Sequence, residues 1–180
     1  MHADTHARYD LVARLLHWLV VLLVTAQFVI GWTMPDVHRD TQPVGEIAWH
    51  LGVGSALLAA MVCRLLWRAT HRPPRDDFSA RLPAWMRAVS ALTHGALYVL
   101  LFAVPLLGWI NASSRAWTVE LAGLAPLPAL AAQGSSFGHA MGDVHGVLAW
   151  VLFGLIVLHV AGALYHRFVL GDRVLQRMSL

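Results

Sequence analysis

Four apolar runs alternate with three polar connections along the chain. The runs cover residues 11–32, 44–67, 88–110 and 144–168. A bilayer core of about 30 Å takes about 20 apolar residues in helical form, so each run is long enough to cross it. Lipid offers no partner to an unpaired backbone group, so the predicted class is all-α. Short connections favour antiparallel neighbours, which gives an up-down four-helix bundle integral to the membrane, one domain over 1–180. The first run has the basic start and apolar core of a signal peptide. It ends in GWTMP, with no small-x-small cleavage site, and is expected to be retained. Pro105 falls inside the third run and is expected to kink it. The third connection, 111–142, is the longest. Its middle, WTVELAGLAPLPAL, is apolar enough to rest on the membrane surface.

Composition supports the membrane assignment. The chain is 58% hydrophobic and 13% charged, whereas soluble domains are roughly a quarter charged. All 13 basic residues are arginine. Eleven of them lie in the N-terminal tail, the second connection, the C-terminal tail or adjoining span ends. Arg39 and Arg115 alone occupy the first and third connections. The positive-inside rule then places both termini in the cytoplasm. The cluster Arg64, Arg68, Arg72, Arg75, Arg81 and Arg87 beside apolar spans fits that rule, and nucleic acid is not an expected partner. Membrane lipid is. The single cysteine, Cys63, excludes an internal disulfide, a cysteine-rich metal site and a C-x-x-C-H haem attachment; it is expected as packing.

Histidine changes the picture further. His145 and His159 are fourteen residues apart in the fourth run, about four turns and roughly 21 Å of rise. At ~100° per residue the two rings share one helix face, within about 40°. With the spans running up, down, up and down, His50 comes level with His145 near the periplasmic side. His17 comes level with His159 near the cytoplasmic side. Two imidazoles at each of two levels suit two six-coordinate iron centres, with a porphyrin filling the remaining four positions. A tetrahedral zinc site would need about four ligands at one point. Gly54, Ala149 and Ala163 each follow a proposed ligand by one turn and leave room for a flat cofactor. The pattern points to His17, His50, His145 and His159 as ligands of two bis-histidine haems, not covalently attached because the chain has no C-x-x-C-H motif.

Haem propionates need cations. Arg64 and Arg68 follow His50 by fourteen and eighteen residues, near the His17–His159 level; Arg14 precedes His17 by three. Snorkelling to lipid headgroups is the competing role for all three. His94 also falls at that level and competes as a ligand or a propionate partner. Tyr98, one turn later, is expected in packing. His166 falls at the headgroup level. His139 is expected in the loop before the fourth run, and His2 and His6 in an exposed tail.

The stretches RYDLVARLLHWLVVLLVTAQFVIGW, WHLGVGSALLAAMVCRLLWR, LTHGALYVLLFAVPLLGW, VHGVLAWVLFGLIVLHVAGALYHRF and the terminal VLQRM resemble the bacterial cytochrome b561 family. The resemblance implies a di-haem membrane cytochrome of the inner membrane, its haems b-type, with ligands at His17, His50, His145 and His159. It implies electron exchange with membrane quinone, and in some members superoxide oxidation at the periplasmic face. The expected function is transmembrane electron transfer between a periplasmic donor or acceptor of unknown identity and the quinone pool. A membrane b-type subunit of a hydrogenase- or formate-dehydrogenase-like complex is the alternative. A histidine-based metal-ion transporter is a second, which acidic residues inside the spans would favour; only Glu46 and Asp143 lie near span ends.

Overall fold

A computed structural model describes residues 8–38, 40–71, 82–172 and 174–180. His2, His6, Arg39, Arg72, Arg75, Arg81 and Arg173 lie outside the described residues. Among those described, four helices are long and apolar enough to cross a membrane: α1 (Leu11–Thr33), α2 (Glu46–Thr70), α3 (Ala84–Ser114) and α4 (Ser136–Phe168). The protein is a four-helix membrane bundle. Helix α1 packs chiefly on α2 and α3 chiefly on α4, with α2 against α3 joining the two pairs.

Helices α1 and α4 start at side-chain caps that satisfy a free amide, whereas α2 and α3 start without one. Asp10 caps α1, its carboxylate accepting from the Ala13 amide at 2.9 Å. Gly45, at φ +60°, turns the chain into α2, and Glu46 then puts a negative charge in the first turn, where the helix dipole favours it. Helix α3 starts after Pro83 and runs through Pro105 without interruption. Helix α4 starts at Ser136, eight residues before the apolar run. Ser135 caps it by accepting from the Gly138 amide at 3.2 Å. His139 is therefore in the first turns of α4 and not in a loop, a correction to the sequence expectation. Hydropathy hides this segment because it is built from small and polar residues for close packing. A Cβ on Gly138 would come within 2.5 Å of Ser114 on α3, and one on Gly142 within 2.9 Å of Asn111.

The interior is narrow. Val20, Val24, Leu57, Ala60 and Met61 form one buried cluster, and Leu97, Val104 and Leu152 another. Most other apolar side chains face outward, as in Leu22, Leu92 and Val147. In water such a surface would drive association; around a spanning bundle it meets lipid. Cys63 lies on this exposed face of α2, not in the packing where the sequence suggested it.

Both termini meet at one end of the bundle, the terminal end. The Tyr9 amide donates to the Arg177 carbonyl at 3.2 Å, and a short 3-10 turn at Leu175–Arg177 follows α4 there. Arg14 donates to the Ser179 carbonyl at 2.7 Å and the Trp18 indole to Met178 at 2.8 Å. The other end carries the first and third connections. The third is internally ordered. It forms a two-stranded antiparallel hairpin, β1 (Glu120–Leu121) with β2 (Ala125–Pro126), pairing Glu120 with Pro126 and Leu121 with Ala125. The hairpin folds back onto α2. Buried Ser55 donates to the Glu120 carbonyl at 2.7 Å and accepts from the Ala122 amide at 3.0 Å. Arg115 joins the two connections by donating to the His38 carbonyl at 3.0 Å.

Candidate functional site

Near the hairpin end, all four helices surround an internal cavity of about 210 Å³. Helix α2 contributes His50 and Gly54, α4 contributes His145 and Ala149, α1 contributes Gln27 and Gly31, and α3 contributes Val104 and Pro105. The His50 and His145 ring centroids are 6.0 Å apart. A metal–imidazole nitrogen bond is about 2 Å. Two imidazoles on opposite sides of one metal therefore have centroids roughly 6 Å apart, which is the spacing found.

The second ring nitrogens differ in their partners. His145 Nδ1 lies 2.8 Å from the Val104 carbonyl. The carbonyl can only accept, so Nδ1 carries the proton and Nε2 has the free lone pair a metal needs. Gly108 makes room for this ring, since a Cβ there would lie 3.1 Å from both Nδ1 and Cε1 of His145. On the opposite wall a Cβ at Gly31 would lie 3.4 Å from His50. His50 Nδ1 is buried without a protein partner. An orphaned imidazole nitrogen, a facing imidazole at bis-ligand spacing and an apolar cavity between them fit an axially ligated haem. They do not fit a bare-metal cage: among the described residues no group of three or more His, Cys, Asp or Glu side chains converges to hold an ion.

Toward the terminal end the structure brings three histidines together. His159 of α4 makes an edge-to-face contact with His94 of α3, centroids 5.0 Å apart. His17 of α1 lies within electrostatic range of both and of Arg64. His94 donates Nδ1–H to the Ser90 carbonyl one turn back, at 2.7 Å. Arg64 Nε donates to the Tyr98 hydroxyl at 3.2 Å, and Arg68 lies over the Tyr98 ring at 5.4 Å. Arg64, Arg68, Tyr98, Trp67 and His71 line a cleft at this level, which brings two of the three predicted propionate partners together. The third, Arg14, is engaged by the C-terminal tail.

A family model described as prokaryotic cytochrome b561 matches residues 8–179, almost the whole chain. The chain belongs to the prokaryotic cytochrome b561 family. Among its relatives, cytochrome b561 homolog 2 of Escherichia coli (strain K12) is 30% identical over 179 residues, 97% of this chain and 93% of its own length. The probable superoxide oxidase CybB of Yersinia pestis is 27% identical over 177 residues, 96% of each chain. Cytochrome b562 of Cereibacter sphaeroides is 29% identical over 168 residues, 91% of this chain and 89% of its own. As a cytochrome b561 relative with four apolar spans, the protein is a multi-pass membrane b-type cytochrome. The family implies b-type haem and electron transfer.

Four features of the cytochrome b561 chain escape the histidine pattern: Gln27, the Val104 carbonyl, Gly108 and Ser55. Gln27 had a usable signal, because an amide inside an apolar span is costly unless it has a purpose. The Val104 carbonyl had none, since any backbone carbonyl looks the same in sequence.

Proposed function

We propose that the protein is a di-haem cytochrome that passes single electrons across the membrane, between a partner on the periplasmic side and the membrane quinone pool. The observation that carries this reading is the facing pair His50 and His145, at bis-ligand spacing around a cavity shared by all four helices. At the second level, four turns along α4, the reading takes His17 and His159 as ligands; they lie within electrostatic range of one another, and His94 is the ring in edge contact with His159. Haem supplies a one-electron iron couple. The chain supplies the axial imidazoles, a fixed tautomer at His145 through Val104, and cations for propionates at Arg64 and Arg68, with Arg14 nearby. A haem held by two histidines of the chain would be suited to outer-sphere electron transfer, with His50 and His145 as the residues that would hold it at the hairpin end. Arginine placement supports both termini in the cytoplasm and the hairpin end in the periplasm.

The Yersinia pestis relative, named a probable superoxide oxidase, makes superoxide a candidate donor at the hairpin end. The acidic balance of that end, five acidic residues against two arginines, favours a cationic donor instead.

Reduced-minus-oxidised spectra with a haem-to-protein ratio test the reading. The expected result is two low-spin b haems per chain. His50→Ala and His145→Ala should remove one centre, and His17→Ala and His159→Ala the other. His94→Ala should leave both. A single haem per chain overturns the di-haem assignment. Loss of a centre in His94→Ala but not in His17→Ala moves the terminal-end ligand to α3.

A further inference from the structure

The two imidazoles at the hairpin end are not held alike. His145 has the Val104 carbonyl behind it, and that bond fixes its tautomer and its ring plane. His50 has no such partner: its Nδ1 is buried and unpaired. An imidazole that offers Nε2 to a metal must carry its proton on Nδ1, so His50 needs an acceptor. Among the described residues, the buried side-chain acceptors without a partner are Gln27 Oε1 and Asn111 Oδ1. Only Gln27 already touches the His50 turn. Its Nε2 donates to the His50 carbonyl at 3.0 Å, across the α1–α2 contact.

The orientation of that amide follows from chemistry. The His50 carbonyl can only accept, so the atom facing it is the nitrogen. The oxygen is then left unpaired, and Gln27 lines the same two cavities as His50. The amide has a dedicated space. A Cβ on Gly54, one turn after His50, would lie 3.0 Å from Gln27 Nε2. The neighbourhood therefore holds one buried N–H in need of an acceptor and one buried oxygen in need of a donor. Both groups lie at the contact between the Gln27 turn of α1 and the His50 turn of α2, held together by the amide bond to the His50 carbonyl.

We propose that Gln27 is a positioning residue for the hairpin-end haem: Nε2 anchors the His50 turn, and Oε1 accepts the proton-bearing Nδ1 of His50. The proposal rests on the reading of His50 and His145 as haem ligands. An acceptor behind an axial imidazole makes it a more basic ligand. A more basic ligand stabilises ferric over ferrous iron and so lowers the potential. Gln27 would thus set the potential of one centre and leave the other unaffected, because it sits at the His50 level and away from His17 and His159.

Redox titration of the purified, haem-loaded protein tests this, with the hairpin-end centre identified as the one lost in His145→Ala. Gln27→Leu keeps the bulk of the side chain and removes the acceptor. It should leave the haem-to-protein ratio unchanged and raise the potential of that centre alone. Held at the wild-type midpoint, the reduced-to-oxidised ratio should rise about three- to tenfold, where tenfold is 59 mV for one electron. A purely structural glutamine would move occupancy and not potential, so unchanged potentials in haem-loaded Gln27→Leu overturn the proposal. If Gln27→Leu fails to bind haem, Gln27→Glu restores an acceptor oxygen. It gives up the amide donor to the His50 carbonyl, so occupancy falls, and the fraction that loads should have a potential below wild type; a potential at or above wild type also overturns the proposal. A wild-type protein with no haem at this level would instead sink the ligand assignment on which the proposal stands.

Discussion

The hairpin-end site depends on atoms that are missing as much as on atoms that are present. His145 fits against α3 because residue 108 has no side chain. Gly108→Ala puts a methyl group 3.1 Å from two atoms of the ring, tighter than nine in ten such contacts, so the imidazole must shift by a few tenths of an ångström against its bond to the Val104 carbonyl. On the proposed di-haem reading, the expected outcome is loss of most of the hairpin-end haem, with the ratio falling from about two toward one while the other centre keeps its spectrum. Gly154→Ala, where nothing lies within 4 Å of the added carbon, should leave both. Asp10 gives a pH-dependent counterpart at the terminal end. The Ala13 amide, together with the Trp67 indole at 3.0 Å, holds its carboxyl below the ordinary value of 3.8. A carboxyl with a lowered folded value stabilises above its unfolded value, and the contribution is lost as pH falls through the folded one. Local opening of the α1 start, followed by Trp67 fluorescence, should therefore appear only below about pH 4 and be absent at pH 7. Asp10→Ala should show it at every pH, with a capping loss of about 1 kcal/mol. The histidines were legible in sequence because a titratable ring in an apolar run is expensive. Gly108 was not, since a glycine in a span shows its purpose only once its neighbour is known.

Among the elements, the hairpin departs most from expectation. Its segment is apolar and contains prolines, so hydropathy suggested a membrane-surface loop. What redirects it is one hydroxyl. Ser55 offers both a donor and an acceptor to the hairpin backbone and stands in for a neighbouring strand. This seats buried Val119 against a small cavity that His50, His145 and Gln27 also line. The hairpin thereby covers the site from the loop side. Ser55→Ala leaves the Ala122 amide without its hydroxyl partner and leaves the Glu120 carbonyl only the long bond from the Gly123 amide at 3.4 Å, at about 1–3 kcal/mol. Amide exchange at 119–127 should accelerate about tenfold or more, with exchange in the body of α2 unchanged. Equal rates in both proteins would mean that other contacts hold the hairpin. Helix α4 teaches a related lesson. Its apolar stretch from 144 was plain, but its first two turns were invisible to hydropathy, because they pack glycine against α3 instead of facing lipid.

Across the whole molecule, charge is sorted between the two ends. With histidine neutral, the hairpin end has five acidic residues, Asp36, Asp40, Glu46, Glu120 and Asp143, against Arg39 and Arg115, a net of −3. Of these two arginines, Arg115 is held by the His38 carbonyl and stacked on Trp117, so its charge is drawn into the loop packing. The terminal end carries the remaining eleven arginines against five acids, a net of +6. This asymmetry was fully readable in sequence, because it needs only the span order. Its functional consequence follows from long-range steering: a charged face raises the encounter rate of opposite charges and lowers that of like charges, and salt screens both effects. In nanodiscs, where both faces are open, the hairpin-end haem should exchange electrons faster with a cationic mediator such as hexaammineruthenium than with ferricyanide. Raising ionic strength from about 10 mM to about 500 mM should slow the cation and speed the anion, severalfold each, as the screening length shrinks from about 30 Å to a few ångströms. The terminal-end haem should show the opposite signs. A hairpin-end centre that reacts faster with the anion at low salt would rule out the cationic-donor preference and bring an anionic donor forward.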